Sequence, residues 1–230
     1  MGEVHPFIEP RGAPERPVLE AALLLAVFYL PTYLPFVSTL SSMDMALFPY
    51  HLALLALDIP RAFLVLYIIA AGDGLHAFGL GRIAPRDAIK ALFAASGALV
   101  IMLGAAYAVS AAGLSNPLMA AAKGKPRADA ALAPLVLASC LTVGYCEELF
   151  FRSYLMRRLG QAGLSPLWAA LASSLVFGAG HGNQGIVGVV SGTLLGLFFA
   201  WRWQAGRDIH EVAVGHGLYD TAVTFFAIYS

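Results

Sequence analysis

Six residues of this chain could do chemistry in surroundings that do not tolerate charge: Glu147, Glu148 and Arg152 in VGYCEELFFRSYL, His181 in VFGAGHG, and His216 with Asp220 in VAVGHGLYDTAV. Each of these runs is otherwise apolar. At about 2.5–3.5 kcal/mol apiece, the two glutamates, the arginine and the aspartate would cost roughly 10–14 kcal/mol if they faced lipid unpaired, so they must face one another. Helical spacing says how. Glu148 and Arg152 stand at i, i+4 on one face, in the favourable order for an ion pair. Glu147 points about 100° away, which leaves its carboxylate without a built-in partner and free for chemistry. His216 and Asp220 are again at i, i+4, so an Asp is placed to orient or charge the imidazole. Phe177, one turn before His181, is expected to wall that histidine on its lipid side. Such a set could activate water for hydrolysis, hold a divalent metal, or relay protons or ions through a transporter.

The elements that must position these groups are membrane helices. Of the 230 residues, 59% are hydrophobic and only 12% charged, about half the charged share of an ordinary globular chain. The apolar residues gather into runs near the ~20 residues a bilayer core demands. After a polar tail at 1–18, helices are expected at roughly 19–40, 46–71, 88–112, 133–157, 165–181, 187–204 and 209–229. The fold class is therefore all-α, a polytopic transmembrane bundle of about seven helices, with a buried polar site formed by the fourth, fifth and seventh. Counted at ~1.5 Å per residue from the basic anchors, Glu147, His181, His216 and Asp220 fall in one mid-membrane band. In the second helix Asp58, Pro60 and Arg61 interrupt the run, and Asp58 and Arg61 lie one turn apart, close enough to pair.

The arrangement can be tested by its basic residues, which cytoplasmic loops should collect. With the N-terminus inside, ten arginines and lysines fall on the inner side, among them Arg82, Arg86, Lys90, Arg157, Arg158 and Arg207, against Lys123, Lys125 and Arg127 outside. That supports a cytoplasmic N-terminus. A net charge of zero and the lack of a basic run argue against nucleic acid as a partner. Cys140 and Cys146, six positions apart in one helix, should not pair with each other. His5, His51, His76 and His210 read as interfacial or solvated, and Tyr145 and Cys146 as core packing that touches the site. There is no HExxH, no GxSG-type serine site and no GxGD partner for Tyr219 and Asp220.

The three motifs together carry a resemblance. EELFFR at Glu147 to Arg152 fits EExxxR, FGAGH at Phe177 to His181 fits FxxxH, and HGLYD at His216 to Asp220 fits HxxxN/D. In order and spacing the chain resembles the CPBP family of CAAX-processing and bacteriocin-processing intramembrane endopeptidases. The likeness is densest over 144–221, and FGLGRIAPRD at Phe78 to Asp87 looks like the family's loop before the next helix. It implies a glutamate-dependent endopeptidase of the type II CAAX prenyl endopeptidase kind. Glu147 would be general base to a water that His181 helps hold, and Glu148 would be locked by Arg152. His216 and its partner at 220 would stabilise the tetrahedral oxyanion. The eukaryotic CAAX enzymes carry Asn where this chain has Asp220, and an ionised Asp cannot donate to an oxyanion; it is protonated, orients His216, or binds a metal. The expected mechanism needs no cofactor, with a zinc variant on Glu147, His181 and His216 as the alternative.

On this reading residues 19–230 form one integral membrane protease domain, with a family-like core at about 75–229, lying in a prokaryotic plasma membrane. The partners are the lipid bilayer and a membrane-tethered protein or peptide substrate, cleaved near its C-terminus, and the cavity is expected to open on the cytoplasmic side. A non-proteolytic immunity or scaffold protein and an ion-coupled transporter are the rival readings.

Overall fold

The computed structural model describes residues 15–29, 43–113 and 128–229. They form seven helices and, among the described residues, no strand: α1 (Glu15–Tyr29), α2 (Phe48–Ala71), α3 (Pro85–Ala111), α4 (133–161), α5 (Pro166–Ala179), α6 (Gly185–Gly206) and α7 (Ile209–Tyr229). Four helical stretches, at Phe48–Ala71, Pro85–Ala111, Ala130–Gln161 and Gly182–Gly206, are long and apolar enough to cross a membrane, while α1 and α5 are apolar but shorter. The chain is an all-α polytopic helical bundle. Two expected elements change at their ends. The first helix begins at Glu15 and is followed only to Tyr29, so the expected 30–40 portion lies outside the described residues, as do the tail before it and Lys123, Lys125 and Arg127. The fifth ends at Ala179, two residues before His181, which sits in a turn instead of the helix itself.

The sequence explains where helices start. Proline occupies the first turn of α2, α3, α4 and α5, where its missing N–H is one the helix leaves unused anyway. At α3 the Asp87 carboxylate also accepts the Ala84 amide at 2.7 Å. Pro60 does not break α2, which runs unbroken through it, with the Asp58–Arg61 pair formed beside it at 2.9 Å.

One end of the bundle gathers the basic loops. Arg158 reaches Glu20 of α1 at 3.0 Å, and Asp73 accepts from Arg157 and Arg158 at 3.2 Å and from Gln161 at 3.0 Å. Lys90 lies 3.5 Å from Asp208, and the Ile209 amide bonds the Gly79 carbonyl. Burial works against the charge on Asp73, but the hydrogen bonds from Gln161 and Arg157 and the two guanidinium charges outweigh it and hold its carboxyl below the ordinary range. This tie therefore contributes stability above that ordinary range and is lost as the pH falls through the lowered value.

α4 lies against α7 because both are glycine-lined at the contact. A Cβ added at Gly144 would stand 2.6 Å from the Ala213 carbonyl and 2.7 Å from the Gly217 amide, backbone atoms that cannot step aside. Small residues bring membrane helices this close. Gly144→Ala is expected to cost about 1–3 kcal/mol by overpacking, read as a lowered thermal unfolding midpoint in detergent. An unchanged midpoint would mean that the two helices do not touch there.

Candidate active site

Glu147 and Glu148 are the last two residues of the regular α part of α4. At Leu149 the helix widens to π geometry and returns to α at Met156. Wide turns of this kind are frequent at functional sites. Hydrogen bonds tie it to other elements: Ser173 of α5 donates to the Phe151 carbonyl at 2.7 Å, and Ser153 within the wide turn donates to the Phe78 carbonyl.

Arg152 and Glu148, both fully buried, form their expected pair at 3.0 Å. The other Glu148 oxygen does what spacing along the chain could not foretell. It accepts a hydrogen bond from Nδ1 of His216, 68 residues on, at 2.8 Å. Glu148 thus fixes the imidazole as well as the arginine. His216 is also stacked on Phe199, with ring centroids 4.9 Å apart, so the ring has little freedom left. Its Nε2 faces two further carboxylates, Glu147 at 3.7 Å and Asp220 at 3.6 Å. Those two side chains keep 29% and 27% of their surface open, in contrast to the sealed Glu148. The open carboxylates are therefore the ones water can reach.

His181 completes the set from the turn after α5. Its Nδ1 lies 3.0 Å from the Phe177 carbonyl, which can only accept, so Nδ1 carries the proton and a neutral ring presents a bare lone pair at Nε2. Phe177 itself corrects the expectation of a lipid-side wall. It is buried at the centre, with the Arg152 guanidinium 4.4 Å from its ring and the His181 and His216 rings at 4.8 and 5.9 Å. The arginine's charge thus rests on an aromatic face, a cation–π contact that helps offset its burial.

All four expected site residues line one cavity of about 480 Å³, within the range of small-molecule sites. Its lining also takes in Asp58 and Arg61 of α2, residues read from the sequence as an interruption and a local pair. The penalty for charge in an apolar helix, applied to them as to Glu147, would have found them. His51 is a second correction: it is fully buried, with Nδ1 2.8 Å from the Ser139 hydroxyl and Nε2 2.9 Å from the Met45 carbonyl. Tyr145 turns away to bond His210 at 3.0 Å, whereas Cys146 reaches the cavity wall.

The cavity reaches one end of the bundle. Its lining runs to Asp44 and Met45 before α2, Asn183 and Gln184 after α5, and Ile228 at the end of α7. These mark the end of the bundle opposite the basic loops, because α5 starts beside Gln204 at the basic end and the Ile228 carbonyl binds the Ala128 amide at the other. None of Glu20, Asp73, Arg157, Arg158 and Arg207 lines it.

Two anchored imidazoles and a carboxylate are reminiscent of a metal site, in which the far ring nitrogen is usually held by a carbonyl or carboxylate. Among the described residues, however, no three His, Cys, Asp or Glu side chains stand close enough to hold an ion together. Open carboxylates beside two anchored imidazoles are groups able to exchange protons with water, and they lie inside an integral membrane helical protein. Residues 129–222, from just before α4 into α7, match the family model for type II CAAX prenyl endopeptidases of the Rce1-like kind. That segment contains all three motifs, and the match agrees with the resemblance they carry. No curated protein and no solved structure matches the chain. The matched model describes a family of endopeptidases.

Proposed function

We propose that this protein is an intramembrane endopeptidase in which Glu147 activates the attacking water. The observation that carries this reading is the division of labour between adjacent carboxylates: Glu148 is sealed between Arg152 and His216, while Glu147 is open to the cavity 3.7 Å from the same imidazole. Water between the Glu147 carboxylate and the lone pair of His181 Nε2 gives its proton to Glu147 as it attacks the substrate carbonyl. The negative charge that develops on the carbonyl oxygen is met by His216, whose Nε2 donates when the ring carries both protons, and which Glu148 holds in place from Nδ1. Asp220 flanks that nitrogen at 3.6 Å. The proton on Glu147 then passes to the leaving amine, so water is divided between the two products and the enzyme is restored.

The substrates on this reading are membrane-tethered proteins or peptides cut near their C-terminus, since a cavity at this depth is reached from within the bilayer more readily than by a folded soluble domain. The positive-inside rule assigns the basic end, and with it the N-terminus, to the cytoplasm of a prokaryotic plasma membrane. The cavity then opens toward the opposite leaflet. The test is a purified, liposome-reconstituted protein given lipid-anchored peptides that carry a quenched fluorophore. Cleavage is expected, and it is expected to survive a strong zinc chelator, because the described residues do not converge on a three-ligand site. Activity lost with the chelator and restored by added zinc would instead establish the zinc-dependent form, on Glu147, His181 and His216.

A further inference from the structure

Arg61 is the cation of the cavity that the reaction above does not use. It stands on α2, outside the family-matched segment, yet lines the same cavity as Glu147. One of its amino groups, Nη1, donates to Asp58 at 2.9 Å. The other, Nη2, is buried and has no hydrogen-bond partner. Its guanidinium carbon lies 5.7 Å from the centre of the Phe28 ring, and Phe28 is in turn stacked on Phe150 at 4.4 Å, so the group is backed by an aromatic wall on the α1 side. The side chain keeps 16% of its surface open. A guanidinium nitrogen with nothing to donate to is costly at membrane depth, and the open part of this side chain lines the cavity, where a turn of the group would bring it to an acceptor.

We infer that Arg61 binds the C-terminal carboxylate of the substrate and so sets how far from the chain end the bond is cut. This rests on the protease reading. A guanidinium has donors enough for two carboxylates, and Asp58 already takes one side. A peptide brings one carboxylate whatever its sequence, which suits a site that must accept chains by their ends. Asp58 has a positioning part: it holds Nη1, and without it the guanidinium would be a mobile, unpaired charge. Glu147, Asp220 and Asp58 line the same cavity and repel a carboxylate, so one is tolerated only where the Arg61 guanidinium offsets its charge.

The experiment compares two lipid-anchored quenched peptides of one sequence, one ending in a free acid and one in an amide, with the reconstituted full chain and with Arg61→Gln and Arg61→Lys. The wild type is expected to favour the acid by at least tenfold in kcat/KM. Arg61→Gln should bring that ratio close to one, and Arg61→Lys should keep part of it. The ratio is internal to each protein, so a lower yield of folded variant does not alter it. Equal cleavage of acid and amide by the wild type overturns the inference while leaving the protease reading intact, and so does a ratio that persists in Arg61→Gln. Cleavage of neither peptide by the wild type brings down both.

Discussion

Glu147→Gln, reconstituted in liposomes, is expected to lose at least about 10³-fold in kcat on an anchored peptide while keeping its thermal unfolding midpoint. General-base catalysis by a placed carboxylate contributes about 10²–10⁴-fold, and here the same group also returns the proton to the leaving amine, so both halves of the reaction suffer. The amide is nearly the same size and can still bond the water, which is why folding and substrate binding should survive. The structural reason is the 29% of the Glu147 side chain that remains open: its contacts are with the cavity and not with the core. The experiment reads kcat, KM and melting together. A loss confined to KM, or a loss of the fold, would assign Glu147 to binding or to structure.

The second large effect is of the opposite kind. Arg152→Leu is expected to destabilise the protein by about 3–5 kcal/mol, the usual cost of leaving a buried charge without its partner. Arg152 and Glu148 are both fully buried and 3.0 Å apart. Removing the cation leaves the Glu148 carboxylate with only the His216 imidazole, and it takes away the charge stacked on Phe177. Little folded protein should reach the membrane. The double variant Arg152→Leu with Glu148→Leu should recover part of the stability, because an apolar pair of similar volume carries no buried charge. It should stay inactive, because His216 then has no carboxylate on Nδ1. Chemical denaturation in mild detergent measures the first claim and peptide cleavage the second. Rescue of activity along with stability would mean that Glu148 does not position the imidazole.

Much of this site could be read from residues alone, for a single reason: lipid makes every ionisable group conspicuous. Glu147, His181, His216 and Asp220 stood out as ionisable groups in largely apolar runs, and the i, i+4 step was enough to pair Glu148 with Arg152. Helix ends were legible for a similar reason, since prolines and basic residues punctuate the apolar runs. What could not be read was anything joining distant parts of the chain. The bond from His216 to Glu148 depends on α4 and α7 touching through Gly144 and Gly217, and no spacing within either helix encodes it. The burial of His51 depends in the same way on Ser139 of another helix. Phe177 was assigned to the lipid side because one helix viewed alone has no inside. Which end of the bundle the cavity reaches follows from which loops meet there, and that is likewise a matter of distant parts of the chain.

The most direct measurement compares new protein termini in membranes of host cells that express the wild type or Glu147→Gln at equal levels, by terminus-selective mass spectrometry. Termini present only with the wild type, clustered near the ends of membrane-anchored proteins, are the predicted result, and they would name the substrates. Identical sets of termini in the native host, under conditions where the protein is made, would contradict the account and leave the immunity or transport readings in its place.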